Sequence, residues 1–370
     1  MGLSALGQYL PLLFLSSVSA LPSTPLPLLN VEQGADLLAA GELLAFPTET
    51  VYGLGADACN DTAVAKIFGA KGRPADHPLI VHVADLAGAE HFAANMSDFA
   101  RTLCAAFWPG PLTVIVPRKE GIASASAGGQ NSIGLRCPAH PVALDLLRQC
   151  AARGVHGIAA PSANKFGKVS PTTAQHVRDE LGARIAVIDG GPCSVGIEST
   201  IIDCTRGAPV LLRPGVLSVA QIEAAMGRRL LLNSELSEQQ ILGLPPDLPA
   251  NLAFSSTDLS IPPKASGTLD AHYAPNARLR LMDAKALQTA LNLLGADAAH
   301  IAVYSRAILT SRSARIIRRR MPDDALATAQ QLFAVLRAFD AEGVRLIWVE
   351  TPPVDSQWDG VRDRLQRAAA

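Results

Sequence analysis

The sequence predicts an α/β protein of two domains, and three observations carry that reading. The chain has 370 residues, against about 150 for an ordinary domain. From residue 31 to 217, short apolar runs alternate with amphipathic stretches, as strands and helices do in one layered sheet. Residues 245–275 then lose that periodicity in PPDLP, SSTDLS and IPPKASG, and the alternation resumes beyond them. The predicted division is a poorly ordered extension over 1–30, a first domain over 31–217, a linker over 218–275 and a smaller α/β domain over 276–370.

In the first domain Leu43–Phe46, Leu79–Ala84, Leu112–Pro117, Ser132–Arg136, Gly157–Ala160, Ile185–Ile188, Thr200–Cys204 and Val210–Leu212 read as strands, with mixed directions. Asp61 is placed to cap a helix whose Val64, Ile67 and Phe68 share one face and which stops near Gly72 and Arg73-Pro74. Pro141 opens a second, with Val142, Leu146, Leu147 and Cys150 at helical spacing. Ser170-Pro171 reads as the cap and first residue of a third. In the second domain Leu279–Met282, His300–Tyr304 and Arg345–Val349 read as strands and Leu326–Phe339 as a helix, enough for a short parallel sheet.

Composition excludes several classes. Hydrophobic residues make up 49% of the chain, so a core forms and wholesale disorder is excluded. Lys and Arg number 32 against 33 Asp and Glu, which argues against a generic electrostatic grip on nucleic acid but leaves a local basic groove open. Aromatics at 5% do not make a broad base-stacking platform. No run after residue 30 is long and apolar enough to span a bilayer. Six scattered cysteines without CxxC predict reduced thiols, and eight histidines without HxxxH or HExxH predict no structural zinc. Residues 9–20 resemble the apolar core of a secretion signal ending at Val18-Ser19-Ala20. The first cation anywhere is Lys66 and Pro11 interrupts the run, so a disordered or over-extended N-terminus is the preferred reading over export.

Four segments of the first domain are richer in polar, Gly and Pro residues than folding requires. FPTETVYGLG (46–55) sets Thr48, Thr50, Glu49 and Tyr52 beside glycines that permit close approach to a ligand, or makes a hydroxyl-capped turn. Lys71 and Arg73, two residues apart at a helix end, can converge on phosphate oxygens or simply complement the helix dipole. His82, inside a strand, is by residue type more often structural than catalytic. Period two puts Ser132, Gly134 and Arg136 on one strand face, suited to a small carboxylate or phosphate, or to water at a sheet edge. Ser162 and Asn164 precede Ser170-Pro171, where helix N–H groups favour an anion or where Ser170 merely caps. GIEST (196–200) and Leu212-Arg213-Pro214-Gly215 follow. No phosphate-binding P-loop, dinucleotide fingerprint or Ser-His-Asp order is present, so any nucleotide must be held by dispersed hydroxyls and cations.

In this order, FPTETVYGLG (46–55), KGRPADHPLIVH (71–82), WPGPLT (108–113), SIGLRCPAHP (132–141), APSANKFGKVSPT (160–172), GIEST (196–200), LLRPG (211–215) and HYAP (272–275) resemble the threonylcarbamoyl-AMP synthase family in its long two-domain form. The resemblance spans roughly residues 31–275 and reaches the last domain only by size and position. It implies a YrdC-like twisted mixed sheet with a concave basic cavity, joined to a smaller Rossmann-like domain. It implies a cytoplasmic nucleotidyltransferase that condenses L-threonine, bicarbonate or CO2 and ATP, and downstream transfer proteins that carry the product to tRNA. By motif position Thr50, His82, Arg136 and Ser199 are expected to hold threonine, with Arg136 on its carboxylate. Arg73, His77, Ser132, Ser162, Ser170 and Arg213 are expected on ATP, with Thr48, Tyr52 and Asn164 as further contacts. Lys71 and Arg73 form the expected catalytic pair at the phosphates, and Tyr273 is expected near the nucleotide in a lid formed by the linker. Mg2+ is expected with ATP, though no carboxylate set for it is visible in the sequence.

The sequence departs from the family pattern at His77, where many relatives carry Asn, and in the stretch before HYAP, which is more basic and bears a tyrosine in some relatives. The competing reading is an RNA-binding module of the same fold, since Arg306, Arg312, Arg315, Arg318, Arg319 and Arg320 cluster and could meet tRNA phosphates. A solvated face explains that cluster equally simply. A carbamoyl-transfer protein of hydrogenase maturation is disfavoured, because its zinc-finger-like cysteine pairs and acylphosphatase-like segment are missing.

Overall fold

A computed structural model describes residues 28–233 and 262–370. The expectations for most of the N-terminal extension and for PPDLP and SSTDLS lie outside the described residues. The first domain runs α1 (Val31–Ala39), β1 (Leu44–Phe46), β2 (Gly53–Asp57), α2 (Asp61–Lys71), β3 (Ile80–His82), α3 (Leu86–Phe92), α4 (Asp98–Phe107), β4 (Leu112–Pro117), β5 (Ser132–Arg136), α5 (Pro141–Ala152), β6 (Ile158–Ala159), α6 (Ala174–Leu181), β7 (Ala186–Val187), β8 (Thr200–Asp203), β9 (Val210–Arg213), α7 (Val219–Met226) and β10 (Leu231–Leu232). The second runs β11 (Arg278–Met282), α8 (Ala284–Leu293), β12 (Ile301–Ser305), β13 (Ile317–Arg320), α9 (Ala325–Ala341), β14 (Leu346–Glu350) and α10 (Asp359–Ala369).

The large sheet has ten strands in the order β10-β9-β8-β4-β5-β3-β6-β2-β1-β7. Its directions are mixed: β3 lies parallel to β5 and β4 to β8, while β4 with β5 and β1 with β2 are antiparallel. The second sheet, β11-β14-β12-β13, is wholly parallel. Parallel strands require crossovers, and α8 and α9 supply two of them.

Local chemistry explains most of the element ends and corrects some expectations. Asn60, not Asp61, caps α2 by accepting from Ala63 N, and Gly72 closes it in the left-handed region at φ 64°. Pro141 opens α5 as expected. Ser170-Pro171 does not start a helix: α6 begins at Ala174 with Thr173 as its cap, because the Ser170 hydroxyl is taken by Glu198. β2 was not anticipated, since GLGAD is buried without period-two apolar residues. Half of the arginine run forms β13, an edge strand.

One core lies within the first domain around Leu54, Val81, Val114 and Leu135. A second packs α1 and α5 through Leu38, Leu146 and Leu147. A third is shared: Val51, Val169 and Ile197 of the first domain pack with Leu332, Phe333 and Leu336 of α9 and Val361 and Leu365 of α10. The domains therefore meet through buried apolar surface and not only through the covalent linker. All six cysteines are free. Among the described residues no helix is long and apolar enough to cross a membrane.

Candidate active site

The shared core borders a cavity where the polar segments of the first domain converge. β3 and β5 run parallel with His82 opposite Arg136, so strand register alone brings these two side chains together. Both are buried in the cavity wall. Arg136 Nη2 pairs with Glu49 Oε1 at 2.7 Å, its Nε donates to Gly110 O at 3.3 Å, and Glu49 Oε2 accepts from Ala139 N at 3.0 Å. Burial, reinforced by the charge of Arg136, pushes His82 down to about 3, so its imidazole is neutral and its Nδ1 has no partner. Thr48 Oγ1 donates to Val51 O at 2.6 Å and accepts from the amides of Thr50 and Val51. Its proton being committed, Thr50 Oγ1 is the donor in the 2.9 Å contact between the two hydroxyls.

On the opposite side Ser199 Oγ lies 2.8 Å from Thr113 Oγ1. Arg213 donates through Nε and Nη2 to Ser199 O at 3.1 and 2.9 Å, and through Nη1 to Ser266 O at 2.8 Å. Arg73 donates to Pro78 O at 3.0 Å and lies over the Phe166 ring. Burial lowers its guanidinium to about 10, which still leaves it charged at neutral pH. Thus Arg73, Arg136 and Arg213 line one cavity together with Thr48, Thr50, His82, Ser162, Ser199 and Tyr273.

Other expected residues stand behind the cavity or outside its lining. Lys71 is buried and donates to the carbonyls of Ser162 and Asn164, both at 2.5 Å, so it shapes that turn. Burial drives its pKa well down, and Arg73 adds to that. Asn164 donates to Lys165 O and Lys168 O, with Oδ1 buried and unpartnered. Ser170 donates to Glu198, which itself lines the cavity. The Tyr52 hydroxyl donates to Gly191 O at 2.8 Å and accepts from Gly190 N, tying down a loop. His77 sits edge-on to Phe166, outside the cavity lining. Ser132, at the start of β5, borders a separate surface hollow with Pro262 and Pro263.

Residues 262–275 lie across the mouth. Lys264 pairs with Asp76 at 2.7 Å, its carbonyl accepts from Gln130 Nε2 and its N–H donates to Gln130 Oε1, and Ser266 Oγ donates to Pro78 O at 2.7 Å. Tyr273 adopts a left-handed backbone at φ 61°, with its ring 5.5 Å from that of Phe333 and the Arg364 guanidinium over its face. His272 is buried and, mainly for that reason, lowered to about 3. The enclosed space is about 50 Å³. Small-molecule pockets run to roughly 300–1,000 Å³, so in this conformation the cavity is narrower than a small-molecule site.

Sequence reasoning missed Glu49, Glu198, Ser266, His272 and Arg364. Glu49 and Glu198 stood in the quoted segments as isolated acids, and nothing local marks Arg364. Both acids are committed to arginines and hydrogen bonds, and no group of three His, Cys, Asp or Glu side chains fit to hold a metal occurs among the described residues. The described residues therefore offer no all-protein cage for Mg2+, an ion that one or two carboxylates and substrate phosphates commonly hold. The site can fix anions and neutralise charge, and it offers no activated nucleophile.

A ten-stranded mixed sheet carrying an arginine-lined cavity, packed against a parallel four-stranded domain, defines a YrdC-like protein with a Rossmann-like second domain. Residues 36–215 match the family described as Telomere recombination, and residues 217–370 match the threonylcarbamoyl-AMP synthase C-terminal domain. The chain is 36% identical to the threonylcarbamoyl-AMP synthase of Bacillus subtilis, covering 92% of this chain and 93% of the relative. It is 35% identical to that of Pyrococcus abyssi, with 92% and 94% covered. A crystal structure of P. abyssi Sua5 complexed with L-threonine superposes with a TM-score of 0.76 at 34% identity, covering 92% of this chain and 94% of that one. The chain belongs to the threonylcarbamoyl-AMP synthase family.

Proposed function

We propose that this chain is an L-threonylcarbamoyladenylate synthase, which condenses L-threonine, bicarbonate or CO2 and ATP to threonylcarbamoyl-AMP, pyrophosphate and water. The observation that carries this reading is the convergence of Arg73, Arg136 and Arg213, with Thr50 and Ser199, on one buried cavity. The threonine amine adds to bicarbonate, water leaves, and the resulting carbamate oxygen attacks the α-phosphorus of ATP as pyrophosphate departs. Such a transfer needs alignment and charge neutralisation more than a covalent nucleophile, in keeping with a site of cations and hydroxyls.

We assign threonine to Arg136, Thr50, Ser199 and His82. Arg136 meets the carboxylate, and neutral His82 offers its free Nδ1 as an acceptor near the amine. ATP is assigned to Arg73, Arg213, Ser162 and Tyr273, with Lys71, Asn164 and Ser170 shaping the turns beneath it. His77 and Ser132 border the covering segment and reach ATP only when that segment lifts. Mg2+ enters on the phosphates of ATP. In this reading residues 31–217 are the catalytic domain, 218–275 the linker and lid, and 276–370 the second domain. The proposed setting is the cytoplasm, where transfer proteins pass the threonylcarbamoyl group to tRNA.

The deciding experiment measures pyrophosphate release from ATP with and without threonine, in bicarbonate buffer with Mg2+. Release that requires threonine is expected. Release indifferent to threonine would remove the assignment.

A further inference from the structure

The cavity wall at Glu198, with Ser170 bonded behind it, belongs to the first domain, yet its fixings come from the second. Arg364, on α10, is fully buried. Its Nε donates to Glu198 Oε2 at 2.8 Å and its Nη2 to Glu198 O at 3.1 Å. Its Nη1 donates to Pro214 O at 2.8 Å and Asp363 Oδ2 at 2.6 Å. The other oxygen of Glu198 receives the Ser170 hydroxyl. From α9, Arg337 donates to the carbonyls of Val169 and Ser170 and pairs with Glu180 at 3.1 Å. Ser170 is thus gripped at its carbonyl by one helix of the second domain and, through Glu198, at its hydroxyl by another.

We infer that Arg364 is a positioning residue for the reaction: it sets Glu198, and through it Ser170, and it lies over the Tyr273 ring, so that the second domain braces the nucleotide side of the active site. The inference deepens the synthase reading and rests on it. Two further observations favour it. The helices approach the wall closely: a side chain at Gly360 of α10 would strike Gly215 O, and one at Gly196 would strike the carbonyls of Gln330 and Ala329 on α9. A buried guanidinium-carboxylate pair is also a poor device for stability alone, since well-packed apolar residues serve as well, whereas it fixes directions that apolar contacts leave free.

The electrostatics supply a signature. Burial by itself would raise the pKa of Glu198; Arg364, Arg213 and the Ser170 hydroxyl overcome this and hold it low. The charged and titratable groups facing it are Arg364, Arg213, Lys71, His272 and Tyr273, with Asp363 beyond Arg364. Removing Arg364 takes away the largest charge holding it low, so Glu198 takes up a proton at higher pH, on the oxygen Arg364 has left, and the charge that strengthens its bond from Ser170 is lost.

The test compares full-length wild type, Arg364→Gln, Arg364→Lys and the Glu198→Gln/Arg364→Gln double variant by equilibrium ATP binding, steady-state pyrophosphate release across pH, and thermal melting. In folded Arg364→Gln, Kd and KM for ATP are expected to rise about tenfold or more, with KM for threonine moving much less. A new acid limb is expected in kcat/KM and is expected to vanish in the double variant. Arg364→Lys keeps the charge but loses the planar fork. It is expected to melt near wild type yet bind ATP more weakly, which preserves the test if Arg364→Gln does not fold. Wild-type ATP affinity and pH profile in either folded variant, or equal losses for both substrates with no acid limb, overturns the inference. Absence of threonine-dependent release in the wild type would instead undo the synthase reading, while the ATP-binding comparison would still decide the clamp.

Discussion

Glu49 and Arg136 form a 2.7 Å ion pair in which both side chains are buried, behind the surface assigned to threonine. The pair holds the guanidinium in place before substrate arrives, and it makes Arg136→Ala a doubly damaging change. That variant removes the proposed carboxylate anchor and strands a buried anion, at a cost of about 3–5 kcal/mol in stability. The two effects separate in the double variant Glu49→Leu/Arg136→Met. Its melting temperature is expected to recover most of the loss, while threonine saturation remains abolished and ATP binding is largely kept. If the double variant uses threonine as well as wild type, Arg136 does not anchor the carboxylate.

Gly267 lies in the covering segment at φ +72°, and a side chain there would meet the Tyr273 hydroxyl and Arg213. Gly267→Ala is therefore expected to unseat the cover, costing about 1–3 kcal/mol locally. Limited proteolysis should then cut within residues 262–275 more readily, and threonine-dependent turnover should fall. Gly343, at φ +69° with open space around it, is the control: Gly343→Ala pays only the backbone cost and should leave turnover alone. Equal behaviour of the two variants would mean that closure over the cavity does not depend on Gly267.

Much of this architecture was legible because its strands are short apolar runs with sharp ends. Leu112–Pro117 and Ser132–Arg136 are found where the sequence puts them, and the Lys71-Gly72 helix end follows from a glycine that tolerates the left-handed region. What stayed hidden depends on partners far along the chain. Ser170 looks like a helix cap in its own neighbourhood, but Glu198 takes its hydroxyl across 28 residues. Arg364 sits in the polar run RDRLQR, where nothing local marks burial, yet it is fully buried against Glu198 across 166 residues. Glycine-rich β2 lacks any periodic signal because both of its faces are buried.

Four of the six arginines of the run make local contacts, and Arg312 and Arg315 are exposed. Arg306 pairs with Glu350 at 2.5 Å, Arg318 donates to Leu309 O at 2.8 Å, Arg319 lies over Phe339, and Arg320 pairs with Asp323 at 2.9 Å. These pairings favour a packed and solvated edge over an RNA groove. Arg315→Glu/Arg318→Glu is accordingly expected to leave threonine-dependent pyrophosphate release within about twofold of wild type, as exposed charges far from a site contribute little. Loss of turnover together with loss of a salt-sensitive tRNA complex would restore the RNA-binding reading.

His82 and His272 are both held neutral in the folded state, each lowered by burial from 6.5 to about 3. The unfolded chain therefore binds more protons than the folded one between those values, and stability must rise with pH there. Their contribution is fully present above pH 6.5 and is lost as the pH falls toward 3, by up to about 1.4 kcal/mol per pH unit for each histidine. Urea unfolding at a series of pH values from 7 to 5 should show the midpoint dropping below pH 6.5, before ordinary carboxylates titrate. His82→Gln keeps a polar side chain without the titration, so its curve should be flatter over the same range even if its absolute stability is lower. A wild-type midpoint constant from pH 7 to 5 would show that neither histidine is protonated on unfolding, and that the cavity is wetter than its narrow form implies.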